Sequence, residues 1–202
     1  MRKKISRVSR ALIIASTTFA TFSVQAVDLA DISSKIKVQS GVFQDFISQL
    51  NSPNQSMRVS AFNQLVNSKE PTLRELAISE ALKSSDETMQ TLGFQQQIMS
   101  STKLVFLMTE PKGSGETEKA IIKEFGGAYP ISFTRFYDTG GFGCFGAAAC
   151  KGSLNGKTLS YYYDSEKAHY CKANMTLQDN NFISGYLACK NAIPIPISAR
   201  LR

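Results

Sequence analysis

Tryptophan is absent from the 202 residues, histidine occurs once and cysteine four times. A chain without Trp lacks a side chain well suited to stacking on sugars. A single His, His169, rules out a histidine-rich metal site. None of the cysteines (Cys144, Cys150, Cys171, Cys189) forms a C-x-x-C pair, which removes the common zinc and thioredoxin-type redox motifs. No apolar run approaches the roughly 20 residues of a membrane-spanning helix. No G-x-S-x-G elbow is present for a serine nucleophile, and His169 is the only histidine that could serve as its base. Gly152-Ser153-Leu154-Asn155-Gly156-Lys157-Thr158 has three residues between its glycines. A phosphate loop needs four and a following helix, so this segment reads as a turn between strands. With 43% hydrophobic and 19% charged residues, disorder and collagen-like repeats are excluded as well.

What is present begins with an export pattern. Arg2, Lys3, Lys4, Arg7 and Arg10 precede an apolar stretch from Ala11 to Phe22, and Val24-Gln25-Ala26 supplies small residues for cleavage. Residues 1–26 therefore read as a signal peptide, and the mature chain is expected in the periplasm or outside the cell. Five of the seven net positive charges belong to that segment, leaving +2 for residues 27–202. Residues 27–118 carry 8 bases and 11 acids, whereas 119–202 carry 10 bases and 5 acids. The overall basic charge is thus no argument for nucleic acid as a partner.

Composition divides the remainder. Every Cys, every Tyr and nine of the thirteen glycines fall within 119–202, while 27–118 is rich in Ser, Gln, Leu and Ala. The first half contains a repeat with an offset of 16 residues, in RVSAFNQLVNS from Arg58, RELAISEALKS from Arg74 and QTLGFQQQIMS from Gln90. Small residues recur (Ala61, Ala77, Gly93), followed by apolar ones at helical spacing (Phe62, Ile78, Phe94; Val66, Leu82, Ile98). Ser52-Pro53, Glu70-Pro71 and Ser85-Asp86 mark the helix starts, with Ser52 or Asp86 as a cap and Pro71 in a first turn. Two more helices are expected at Leu29 to Val38 and Gly41 to Leu50. The repeat resembles HEAT or armadillo-type helices through its "R-x-x-A-[FI]" core over residues 52–101. The resemblance implies stacked helices that present a surface to a protein partner.

The second half carries strand patterns at Ile131–Tyr137, Thr158–Tyr163, Ala168–Leu177, Phe182–Cys189 and Ile193–Leu201, punctuated by Gly, Asn and Asp. Glu118–Phe125 reads as a short helix stopped by Gly126-Gly127, or as a strand. If Gln178–Phe182 is a hairpin loop, Leu177 faces Ile183, Met175 faces Gly185, Ala173 faces Leu187 and Cys171 faces Cys189. Directly opposed residues lie roughly 4.5–5.5 Å apart at Cα, within reach of a disulfide. Cys171–Cys189 follows, and Cys144–Cys150 by elimination. In the last strand, Pro194 and Pro196 alternate with isoleucines, which places it at a sheet edge.

These observations predict an α+β chain: signal peptide 1–26, an all-helical HEAT-like segment 27–102, a junction strand and linker 103–118, and a small antiparallel β domain 119–202 with two disulfides. The expected function is that of an exported, non-catalytic interaction or adaptor protein with a protein partner and no cofactor or metal. The alternative is a polysaccharide or cell-surface polymer bound by the basic, Tyr-rich β half, through Tyr161, Tyr162, Tyr163, Arg135 and Lys157. A less favoured reading is a small cell-wall hydrolase using carboxylates such as Glu124 and Asp138.

Overall fold

The structure, a computed structural model, describes residues 29–145, 149–163 and 170–201, with side chains from Ser40 onward except those of Ala149, Tyr163 and Asn180. The expected signal segment and His169 lie outside the described residues. The chain divides into two units at Ser40/Gly41, and apart from the start of the first helix everything described below lies in the second, Gly41–Arg202.

Helix α1, Leu29–Leu50, is continuous. Two helices were expected there, but Gly41 inside the helix costs only about 1 kcal/mol and does not end it. Helices α2 (Gln55–Val66), α3 (Pro71–Lys83) and α4 (Glu87–Ser100) follow, and each begins with the same device. The N-caps are Asn54, Glu70 and Asp86, and the serine two residues before each (Ser52, Ser68, Ser84) accepts its N–H through Oγ at 3.1–3.3 Å. Arg58 and Arg74 each reach back six residues to the carbonyl of Ser52 or Ser68, at 2.6 and 2.7 Å. These bonds account for the Ser and Arg positions of the 16-residue period. The small position has a packing cause: a Cβ on Gly93 would stand 2.8 Å from the Ala81 Cβ, so α3 and α4 touch there. Asp86 caps α4 as expected, whereas Asn54 and not Ser52 caps α2. Arg58 also pairs with Asp86 and, with the Met89 and Thr88 amides, holds its carboxyl below the ordinary carboxylate range.

The remaining chain is one sheet. Strands β1 (Lys103–Met108), β2 (Ala128–Phe136), β3 (Gly141–Phe145), β4 (Ala149–Asn155), β5 (Thr158–Tyr163), β6 (Cys171–Leu177), β7 (Phe182–Cys189) and β8 (Ile195–Arg200) pair antiparallel in chain order. β8 returns to β1, where Leu107 faces Ser198 and Met108 faces Ile197, and the sheet closes into an eight-stranded barrel. Closure removes exposed edges. The register of β6 on β7 is the expected one, from Leu177 facing Ile183 to Cys171 facing Cys189. Both expected disulfides are present, Cys144–Cys150 and Cys171–Cys189, with Cα separations of 4.9 and 4.0 Å.

The expected architecture, a HEAT-like helical segment followed by a small β domain, is corrected by this closed barrel. Residues 103–108 are its first stave and not a junction, and β3 and β4 occupy a Gly-rich stretch read as a loop. A closed barrel needs both edges of every strand paired, so these segments pair despite poor strand propensity. The five helices precede or interrupt the barrel, and the buried residues form one core running from Leu50 to Leu201. The last strand is not at an edge either. Pro196 lies just past the end of β1, where its carbonyl accepts the Thr109 N–H at 2.9 Å and no donor is required of it.

The barrel interior is filled by side chains. Phe106, Tyr129, Ile131, Phe142, Leu159, Met175 and Ile183 are fully buried. Large and small residues alternate around a rung: Phe142, Gly152, Tyr161, Ala173 and Leu187 are successive partners. One barrel end meets α4, where Gln95 Nε2 donates to the Gly156 carbonyl at 3.4 Å and Lys157 Nζ donates to Gln90 Oε1 at 3.2 Å. The other end carries both disulfides and helix α5 (Glu116–Glu124), stopped by Gly126 and Gly127 at φ 63° and 75°.

Candidate functional site

Strand alternation sends every second residue outward, and the register aligns those residues around the barrel. Cys150 and Cys171 point inward as disulfide partners, so Lys151 and Lys172, the residues after them, must point out. Following the pairs from stave to stave, Arg135, Gly143, Lys151, Tyr162, Lys172 and Ala188 form one outward rung across β2 to β7. A bulge between Phe133 and Arg135 brings the arginine into this phase. Adjacent strands are about 4.8 Å apart, so the staves of Lys151 and Lys172, β4 and β6, stand roughly 10 Å from one another. Arg135, on β2, is four staves from Lys172 and lies on the opposite side of the ring.

Aromatic rings lie between and beside them. Tyr162 is 41% exposed, Arg135 lies 5.1 Å from the Tyr137 ring centre, and Lys172 Nζ lies 5.9 Å from that of Tyr170. The next outward positions on β4, β5 and β6 are Ser153, Ser160 and Asn174, with the Ser160 hydroxyl donating to Asn174 Oδ1. Together the two rungs border a hollow of about 410 Å³ on the outer wall. None of the eight strands contains an Asp or Glu. The strands therefore offer Lys151 and Lys172 no acidic partner.

The residues expected to form a binding surface are distributed differently from one another. Arg135 and Tyr162 share the outward rung. Tyr161 is 3% exposed and points into the barrel, stacked on Tyr129 at 5.9 Å between ring centres. Its hydroxyl has no hydrogen-bond partner, and burial, with Tyr129 adding to it, pushes its phenol well above the usual range. Tyr163 pairs with Cys150 and Cys171 in the inward phase, and its side chain lies outside the described residues. Lys157 is held by α4, bonded to Gln90 and paired with Glu87 at 3.7 Å. Lys151 and Lys172 were missed, although their position one residue after a paired, inward cysteine was a readable signal.

Glu124 and Asp138 do not come together. Glu124 ends α5, before β2, and Asp138 follows β2, so a nine-residue strand of about 30 Å separates the two. Glycoside hydrolysis needs its carboxyl pair within roughly 5–9.5 Å. Glu118 is buried and acts as a clip: it accepts the Ile193 N–H at 2.8 Å and the Gly115 N–H at 2.6 Å. Those two amides, Ile193 first, hold its carboxyl below the ordinary range. Among the described residues no group of His, Cys, Asp and Glu is placed to hold a metal ion, and no helix is long and apolar enough to cross a membrane.

A second surface lies on the other side of the ring. Val105 faces Pro130 across β1 and β2, Tyr186 faces Pro196 across β7 and β8, and Leu107 joins the two pairs through Ser198. Leu107 and Tyr186 are 61% and 58% exposed, and Val105 is exposed too. Comparison of the chain with family models, curated proteins and solved structures found no match.

Proposed function

We propose that this is an exported, non-catalytic interaction protein whose partner is another protein, docked on the β7–β8–β1–β2 wall. The observation that carries this reading is the contiguous apolar strip of Val105, Leu107, Pro130, Tyr186 and Pro196 on the outer wall. Contiguous exposed apolar surface of this kind marks protein contacts in soluble proteins. Supporting the non-catalytic part, the barrel interior is occupied by apolar side chains, and Glu124 and Asp138 stand apart. Supporting export, two disulfides suit an oxidising compartment, and the first 26 residues have the zones of a signal peptide.

Crosslinking mass spectrometry in the native envelope tests the reading. One protein should be captured through residues on β1, β7 or β8. The doubly substituted Leu107→Asp/Tyr186→Ser chain should lose that crosslink, while Val42→Asp, exposed on α1, should retain it. A crosslink that survives the double substitution would remove this wall from consideration.

A further inference from the structure

The basic wall on β4 to β6 is a separate surface: β5 stands opposite β1 in the eight-membered ring. We infer that the outward segment Lys151–Tyr162–Lys172, with the hollow that it borders, binds an acidic polysaccharide laid across these three staves. The inference goes beyond the protein-partner reading and stands or falls without it.

Three features select this occupant. The first is charge complementarity. Two lysines flank Tyr162 on one rung and border the hollow, and no strand supplies an acid to neutralise them. The two rise from alternate staves on either side of the tyrosine, so a ligand that meets both crosses its ring. Their interval of roughly 10 Å, twice the strand spacing, is comparable to two linked sugar rings. A polymer that carries acid groups along its length can therefore meet both lysines at once.

The second feature is the neutral part of the hollow. Beside Lys151 and Lys172 stand Ser153, Ser160 and Asn174, whose hydroxyl and amide groups can both donate and accept. Sugar hydroxyls need such groups, while a phosphate chain needs donors only. The third feature is the ring of Tyr162 between two lysines. A phenol with an exposed face offers the apolar side of a sugar ring a contact, and its hydroxyl remains free to bond. Single-stranded nucleic acid also uses cations interleaved with aromatics. However, the two disulfides argue for a compartment that does not hold it.

The test uses the full mature chain and three probes: polygalacturonate, neutral dextran and an oligothymidylate of matched charge, each measured by titration at low and moderate salt. Polygalacturonate should bind, with affinity falling as salt is raised, and dextran should bind far more weakly. Lys151→Ala/Lys172→Ala should weaken polygalacturonate binding about tenfold or more, the loss expected when two charged contacts are removed. Tyr162→Ala should weaken it too, and Tyr162→Phe should restore most of the loss. These residues point outward, so an unchanged melting temperature would confirm that the variants fold. Equal affinity of wild type and double variant for polygalacturonate would overturn the inference. So would dextran binding as well as the acidic polymer, or tighter binding of the oligothymidylate.

Discussion

Gly152 shows how much one missing side chain decides. A Cβ there would stand 2.2 Å from Phe142 Cζ and 2.5 Å from the Ser160 carbonyl, one ring atom and one backbone atom. The ring can rotate but the strand cannot retreat without breaking its ladder. Gly152→Ala is therefore expected to lower stability by about 1–3 kcal/mol, the usual cost of overpacking a core. Urea unfolding will check it, with Ser153→Ala on the outward face as a control that should change little. The sequence suggested nothing of this, because a glycine between Lys and Ser reads as a turn. By contrast, the opposite fates of Tyr161 and Tyr162 were legible, since a run of tyrosines in a strand must place neighbours on opposite faces. What could not be read was which face is the inside, and so Tyr161 was counted with the binding surface.

Elements defined by two partners in sequence were legible, and those completed by distant partners were not. The β6–β7 register followed from a single hairpin loop and the need to oppose Cys171 to Cys189. Strands β3 and β4 were invisible because their glycines lower strand propensity, and their pairing is imposed by β2 and β5 on either side. The two disulfides share one inward rung with Phe133 and Tyr163 and pin the barrel at the α5 end. Glu118 secures the same end by joining α5 to the β7–β8 connection. No local pattern marked it, since its strongest partner, Ile193, is 75 residues away. Its folded-state pKa lies below that of an unfolded glutamate, about 4.3. Its contribution is thus fully present above that value and lost as pH falls through the folded pKa, because the unfolded chain takes up the proton first. Glu118→Gln should melt lower than wild type near neutral pH, and the gap should narrow between about pH 7 and about pH 3. Asp86 titrates in both chains and cancels from the gap. A gap independent of pH would mean that the clip owes nothing to the carboxylate charge.

At the scale of the molecule, closure is what the sequence concealed. Seven strands and an open edge, or eight and a barrel, differ only in whether Lys103–Met108 joins β2 and β8. That short run offers alternation but no partner within reach along the chain. Once it is a stave, the helices before it cannot be a free-standing array: α4 leads into β1 through two residues, and Lys157 and Gly156 bond α4 from the far side of the barrel. Buried residues of both halves then belong to one core. The physical consequence is cooperativity across Gly41–Arg202, since Phe94 and Ile98 on α4 belong to the same buried core as the barrel interior. Every tyrosine lies in the barrel half, so near-UV circular dichroism reports the barrel while the far-UV helical signal reports α1 to α5. In a thermal melt of the oxidised chain the two signals should coincide in midpoint and width, as for a single two-state unit. Loss of helical signal at a clearly lower temperature would show that the helical half folds by itself, and that the division in composition near residue 118 is a division in stability as well.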